Sequence, residues 1–394
     1  MTLRSTEIRL HYYRWMVLLA ALLSFMMYAF SLQSVPPLIQ QLKIMYGIDN
    51  AIAGLLMSVL VIPAIILALP AGVLIDRYGY RKVGLLSILT IALGSLMMAF
   101  SQDITSALFS RFIVGIGGGL VTVGTPSIVP QWFEHKEMGK AMGVYAVGMP
   151  VATTVAFFSV PILAQIFGWQ APFYLSFIMS MITVVVFWLI VHDGPLKNRG
   201  TTVKLSEVKE VFGNSEVFKV SLVWMFFNMV SIGFLTWAPA MFVMFKGLSI
   251  IYASMVASLI MIANFFFVPV YGWASDKLGR RKPFIIVGPI AMALSLYFIA
   301  YAMGIILPLS VFVLGASAGT IPPIVMAITG QTLPPKQAGM GFGVVSFWQN
   351  LGSALTAPVI GYLIQVTDSL PLTFAGMSLF AFLAAAVALT ATTK

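Results

Sequence analysis

The sequence predicts an all-helical integral membrane protein: twelve transmembrane helices in two pseudo-symmetric six-helix bundles. Three observations carry that expectation. Of 394 residues, 60% are hydrophobic and 9% charged, whereas an ordinary soluble domain carries about a quarter charged residues. The apolar residues fall in long runs along the whole chain, each near the ~20 residues that cross a ~30 Å hydrocarbon layer. Helices satisfy their own backbone in lipid, and a membrane barrel would show short alternating segments instead. Finally, the chain repeats itself at an offset of 200 residues. Gly47 falls on Gly247, Gly72 on Gly272, Asp76 on Asp276, Gly79 on Gly279, Gly115 on Gly315, Gly119 on Gly319, Gln131 on Gln331 and Gly143 on Gly343.

The elements follow in order. Arg4, Arg9 and Arg14 precede an apolar run that outlasts a signal-peptide core and lacks a small-residue cleavage site, so it reads as a retained first helix, Tyr13–Val35. Five spans complete the first half: Ala51–Leu74, Val83–Ser101, Thr105–Val129, Gly139–Gln165 and Pro172–Val191. The second half reads Phe218–Met244, Tyr252–Ala274, Phe284–Met303, Ile306–Thr329, Gly339–Gln365 and Leu372–Leu389. The domain expectation is an N-terminal bundle over 1–192, a linker over 193–217 and a C-terminal bundle over 218–394. Within the polar linker region, Leu205–Phe212 has the pattern of a short amphipathic surface helix. Gly143, Gly148 and Pro150 predict a flexible or kinked fifth helix.

Basic residues set the orientation. With the N-terminus inside, nineteen lysines and arginines face the cytoplasm, among them Arg77, Arg81, Lys82, Lys197, Arg199, Lys204, Lys209, Lys219 and Lys277. Only Lys43 and Lys246 lie outside, and Arg111 lies within a span. Both termini are therefore expected in the cytoplasm, in a cytoplasmic (inner) membrane. The net charge of +10 then anchors loops to an anionic leaflet and requires no nucleic acid. Without cysteine there is no disulfide or thiolate metal site. No metal-spaced ligand set, Ser/His/Asp constellation or nucleotide loop suggests an enzyme, a metal or a cofactor.

Both repeats carry the same loop between their second and third helices. It reads Gly72-Val-Leu-Ile-Asp76-Arg77-Tyr-Gly79-Tyr-Arg81-Lys82, then Gly272-Trp-Ala-Ser-Asp276-Lys277-Leu-Gly279-Arg280-Arg281-Lys282. The loop closely resembles the signature loop of the major facilitator superfamily. The fourth helix, Arg111-Phe-Ile-Val-Gly115-Ile-Gly117-Gly118-Gly119, is similar to that family's arginine-bearing motif. The resemblance covers the full chain and implies the major facilitator fold, a secondary carrier acting as a single chain in the lipid bilayer, and transport by alternating access. It also implies a conformational switch at Gly72, Asp76, Arg77, Gly79, Arg81, Gly272, Asp276, Gly279, Arg280 and Arg281. Gly72 and Gly272 would allow close helix approach, and Gly79 and Gly279 a positive φ. The glycine run of the fourth helix lacks the preceding strand and acidic partner of a dinucleotide fingerprint and reads as close helix packing.

In such carriers the solute sits near the bilayer midplane. Polar or aromatic candidates there are Tyr28 and Gln33 on the first helix, Arg111 on the fourth, Tyr145 on the fifth and Asn228 and Trp237 on the seventh. Asn264 on the eighth helix and Trp348, Gln349 and Asn350 on the eleventh complete the set. An amide within a span serves helix pairing as readily as a ligand. Arg111, with Gln33 at similar height, either braces the first helix or meets the solute. All twelve acidic residues fall in loops or at helix ends, and a membrane-centred carboxylate is what a cation or a proton relay would require. The expected solute is a small organic or inorganic anion such as a carboxylate. The alternatives are efflux of lipophilic drugs through a Met- and Phe-rich cavity and a membrane receptor that transports nothing.

Overall fold

The computed structural model describes residues 2–68, 70–133, 135–192, 210–334 and 337–391. Lys197, Arg199, Lys204 and Lys209, with most of the Leu205–Phe212 segment, lie outside the described residues. Every regular element among the described residues is helical. The first half comprises α1 (Thr2–Gln33), a 3-10 turn (Pro36–Leu38), α2 (Ile39–Tyr46), α3 (Asn50–Leu67), α4 (Pro70–Tyr78) and α5 (Tyr80–Ala99). It continues with α6 (Ile104–Trp132), α7 (His135–Ala146), α8 (Gly148–Phe167) and α9 (Ala171–Ile190). The second half comprises α10 (Ser215–Lys246), α11 (Ile250–Leu278), α12 (Lys282–Tyr301) and α13 (Ile306–Ala318), followed by α14 (Ile321–Thr332), α15 (Ala338–Thr367) and α16 (Leu370–Thr390).

Three expected spans are interrupted, and the first span ends short of the expected Val35. The first helix ends at Gln33, because Pro36 and Pro37 bring no N–H to continue its ladder. The chain resumes as α2 and stops at Gly47 with φ 63°, a left-handed cap beyond the expected boundary. The second span divides between Leu67 and Pro70, and proline suits the first position of the new helix, where its missing N–H is not needed. The fifth divides at Val147, between Gly143 and Pro150. The tenth divides at Gly319–Thr320, ahead of Pro322 and Pro323. At the start of α6, Asp103 closes a capping box with Ser106, and hydrogen bonds from Ser106 hold its carboxyl below the usual carboxylate range.

The repeat is visible in the packing. A Cβ on Gly115 of α6 would lie 2.2 Å from the Leu60 carbonyl oxygen, and one on Gly315 of α13 would lie 2.5 Å from the Ile260 carbonyl oxygen. Leu60 and Ile260 are themselves repeat partners. Among the loop glycines, φ is 63° at both Gly47 and Gly247, while Gly79 and Gly279 share a positive φ but differ in ψ, 153° against 17°.

Eleven spans among the described residues are long and apolar enough to cross a membrane. α15, 30 residues long, is not one of them, because glycines and the Trp348-Gln349-Asn350 cluster dilute its apolar content. A polar helix among lipid-compatible ones faces protein or a water-filled path.

The chain divides into two compact units. The first holds Met1–Leu32, Val59–Thr153 and Phe167–Thr201, around a core that includes Leu18, Tyr80, Phe133 and Phe187. A line of hydroxyls crosses it: Ser31 and Ser95 lie 3.1 Å apart, and Ser95 and Ser176 3.0 Å, linking α1, α5 and α9 as polar pairs do between membrane helices. The second unit holds Gln33–Ser58, Thr154–Ile166 and Thr202–Lys394, around Phe157, Phe234, Trp237, Phe242 and Phe374. It therefore combines the second half of the sequence with helix ends drawn from the first.

Candidate functional site

In the first unit the dominant feature is Arg111 on α6, fully buried. Its Nη1 donates to the Ser31 carbonyl at 2.8 Å and its Nη2 to the Leu32 carbonyl at 3.1 Å. α1 ends one residue later, and the last carbonyls of any helix lack partners within it. A guanidinium placed there satisfies two of them and sits at the negative end of the helix dipole. Arg111 thus bridges α6 to the end of α1. These two bonds go to main-chain carbonyls, while Gln33, 1% exposed, keeps both side-chain polar atoms buried without a hydrogen-bond partner among the described residues. Tyr28 lies flat on Gly118, where a Cβ would come within 2.1 Å of the ring. Phe25 stands between Tyr28 and the half-buried Tyr145, with ring centroids 6.5 and 5.0 Å away.

In the second unit the candidates separate by what their polar atoms do. Trp237 is fully buried and donates its indole N–H to the Ala357 carbonyl at 2.8 Å, which accounts for its polar atom by packing alone. Asn264 bonds back to the Ile260 carbonyl of its own helix at 2.9 Å. Trp348 packs edge-on against Phe218, centroids 5.3 Å apart, and its buried Nε1 has no hydrogen-bond partner among the described residues. Asn350 is half-buried.

Asn228 and Gln349 converge on one residue that the sequence reading passed over, Trp224. Its indole N–H donates to Gln349 Oε1 at 2.8 Å, and its carbonyl accepts from Asn228 Nδ2 at 2.8 Å. Trp224 stacks on Phe227, centroids 5.1 Å apart and planes at 22°. These bonds settle both amide orientations, since an indole N–H only donates and a carbonyl only accepts. Gln349 therefore presents its NH2 as a donor and Asn228 its Oδ1 as an acceptor. The available signal was the i, i+4 spacing of Trp224 and Asn228 on one helix face.

The two signature loops differ. Arg281 is bonded to Asp276 at 3.4 Å and to Gln331 on α14, so the second loop is latched to its own repeat. In the first, Arg81 donates to the Trp188 carbonyl at 2.7 Å and Gln131 to the Ser127 carbonyl. Exposed Asp76 has no ion pair among the described residues. The positive φ expected of Gly79 and Gly279 is present. The close approach expected at Gly72 and Gly272 is not: a Cβ on Gly72 meets open space, and on Gly272 an ordinary 3.4 Å contact with Pro323. No neighbouring backbone crosses at either position in this conformation. The described carboxylates all stand at helix ends or in loops, and no group of them with histidine could hold a metal ion among the described residues.

The sequence matches the model of the Major Facilitator Superfamily over residues 17–267 and 246–394. It is 26% identical to "Probable nitrate transporter NarT" of Staphylococcus epidermidis, covering 84% of this chain and 85% of that protein. It is 24% identical to "Probable galactarate/D-glucarate transporter GudP" of Escherichia coli, covering 82% and 81%. In fold it resembles the crystal structure of a bacterial homolog to human lysosomal transporter Spinster, with a TM-score of 0.83 and 16% identity over 96% of this chain and 97% of that one.

Proposed function

The chain belongs to the Major Facilitator Superfamily and is a membrane transporter, not an enzyme; from that premise we propose that it carries a small anion by alternating access. The observation that carries this reading is the placement of charge. No described carboxylate lies in the middle of a span, so nothing there repels an anion or neutralises a cation. Arg111, the one buried cation among the described residues, lies in the first unit with hydrogen bonds to α1. Direct contact with the solute then falls to neutral donors, foremost the Gln349 amide. The relatives named for nitrate and for galactarate/D-glucarate support the same class. We place both termini in the cytoplasm of a cell whose inner membrane holds the carrier as a single chain. The Asp76 loop acts as the switch, and the self-latched Asp276 loop as a fixed anchor.

The test is uptake into proteoliposomes containing the purified full chain. Saturable uptake of nitrate or of galactarate is expected, with no uptake of an organic cation such as tetraethylammonium. Transport of the cation with neither anion taken up would overturn the proposal and restore the drug-efflux alternative.

A further inference from the structure

We propose that Trp224 is a positioning residue that holds a hydrogen-bond donor and an acceptor for the solute, and that the solute is a hydroxylated carboxylate, not an acceptor-only anion such as nitrate. The inference rests on the anion reading above and narrows it.

The argument is one of hydrogen-bond polarity. The indole N–H of Trp224 donates to the oxygen of the Gln349 amide, and its carbonyl accepts one of the two N–H bonds of the Asn228 amide. One tryptophan therefore fixes two amides in opposite senses. The NH2 of half-buried Gln349 is left as a donor, and Asn228 Oδ1 as an acceptor. Neither group has a further hydrogen bond to the protein among the described residues. Stacking on Phe227 holds the indole plane, so the arrangement does not depend on a mobile side chain.

A carboxylate accepts from the Gln349 NH2. Only an O–H or N–H satisfies Asn228 Oδ1, and a solute with lone pairs alone would leave that acceptor unpaired. A hydroxyl next to a carboxylate supplies both partners. Sites built to bond a substrate hydroxyl reject analogues that lack it, because their own buried polar group is then left unpaired. Of the two kinds of relative, those named for galactarate/D-glucarate carry solutes of this chemistry, and those named for nitrate do not.

The test is equilibrium binding to the purified full chain in nanodiscs, using galactarate, adipate (the same carbon skeleton without hydroxyls), galactitol (the hydroxyls without the charge) and nitrate. Galactarate is expected to bind at least about tenfold more tightly than each of the others. Asn228→Leu should reduce galactarate to the adipate level and leave adipate unchanged. Trp224→Phe keeps the stacked ring and loses the N–H, and should weaken galactarate about tenfold. In a Gln349→Met background it should add nothing, a coupling that a merely structural role would not give. Adipate or nitrate binding as tightly as galactarate would overturn the hydroxylated-solute inference and leave the anion reading standing. Galactitol binding as tightly as galactarate, or no anion binding at all, would overturn the anion reading as well. Additive losses from Trp224→Phe and Gln349→Met would remove the positioning role. If a variant melts early, the wild-type ranking of the four ligands still decides the solute class.

Discussion

A guanidinium buried in a membrane protein must satisfy its donors, and the end of the first helix gives Arg111 two main-chain carbonyls. Replacing it with glutamine removes both bonds and leaves main-chain acceptors unpaired, a loss of roughly 2 kcal/mol. Arg111→Gln should therefore melt well below wild type in nanodiscs, while any protein that remains folded binds galactarate within about twofold of wild type. Arg111→Lys should fall between them, because an ammonium lacks the planar fork that spans two carbonyls. Affinity lost at an unchanged melting temperature would make Arg111 a solute contact instead. The sequence left these two roles open for a physical reason: it shows the charge within a span but not that Pro36 and Pro37 end the first helix beside it. Trp224 escaped notice for a related reason. Asn228 and Gln349 stand out as amides in apolar spans, but an indole in such a span looks like packing until its N–H is seen to hold one of them.

The helices that can be read from the sequence are those whose ends carry chemistry. Gly47, Gly79, Gly247 and Gly279 mark left-handed caps or turns, and the 200-residue offset already paired them. Interior breaks were harder to place. Pro63, Pro161 and Pro269 sit inside unbroken helices, whereas Pro70 and the Pro322–Pro323 pair begin new ones. Whether proline ends a membrane helix depends on neighbours that re-satisfy the freed carbonyl, and these are distant in sequence. Glycine packing gives a prediction at this scale. A methyl group on Gly115 or Gly315 would collide with main chain across the helix pair, at 2.2 and 2.5 Å. Gly143 and Gly343, also repeat partners, have open space. Gly115→Ala and Gly315→Ala should each lower the melting temperature, by an amount corresponding to about 1–3 kcal/mol of overpacking. Gly143→Ala and Gly343→Ala should leave it level or raise it, since alanine favours helix by roughly 0.5–1 kcal/mol. Equal effects at all four sites would mean that the close α3–α6 and α11–α13 approach does not support the fold.

At the scale of the molecule, the second unit poses the mechanical question, because it joins helix ends from both halves of the sequence. The start of α3 lies against α15 with almost no side chain between them. A Cβ on Gly54 would stand 2.5 Å from the Ala357 carbonyl oxygen, and one on Gly361 2.3 Å from the Asn50 carbonyl oxygen. Ser58 donates to the Ala354 carbonyl, and Trp237 ties Ala357 from the other side. Such a seam cannot be inferred from the repeat, since it joins residues the offset does not relate. Alternating access requires a seam of this kind to part. Gly361→Leu should prevent it from closing, and overpacking of about 1–3 kcal/mol shifts a two-state balance about tenfold or more. The chain has no cysteine, so one introduced thiol reports without background. Ala53, fully buried here, is placed to show the change. Ala53→Cys should react slowly with a membrane-impermeant thiol reagent and about tenfold faster once Gly361→Leu is added. Reaction is expected from the outside only. Asp76→Asn should slow it again in that double variant, because in the proposed switch role loss of this carboxylate weakens the conformation in which the seam is open. Labelling from the inside alone would invert the proposed orientation. Labelling that ignores Gly361→Leu while uptake continues would show that the α3–α15 seam stays shut through the transport cycle.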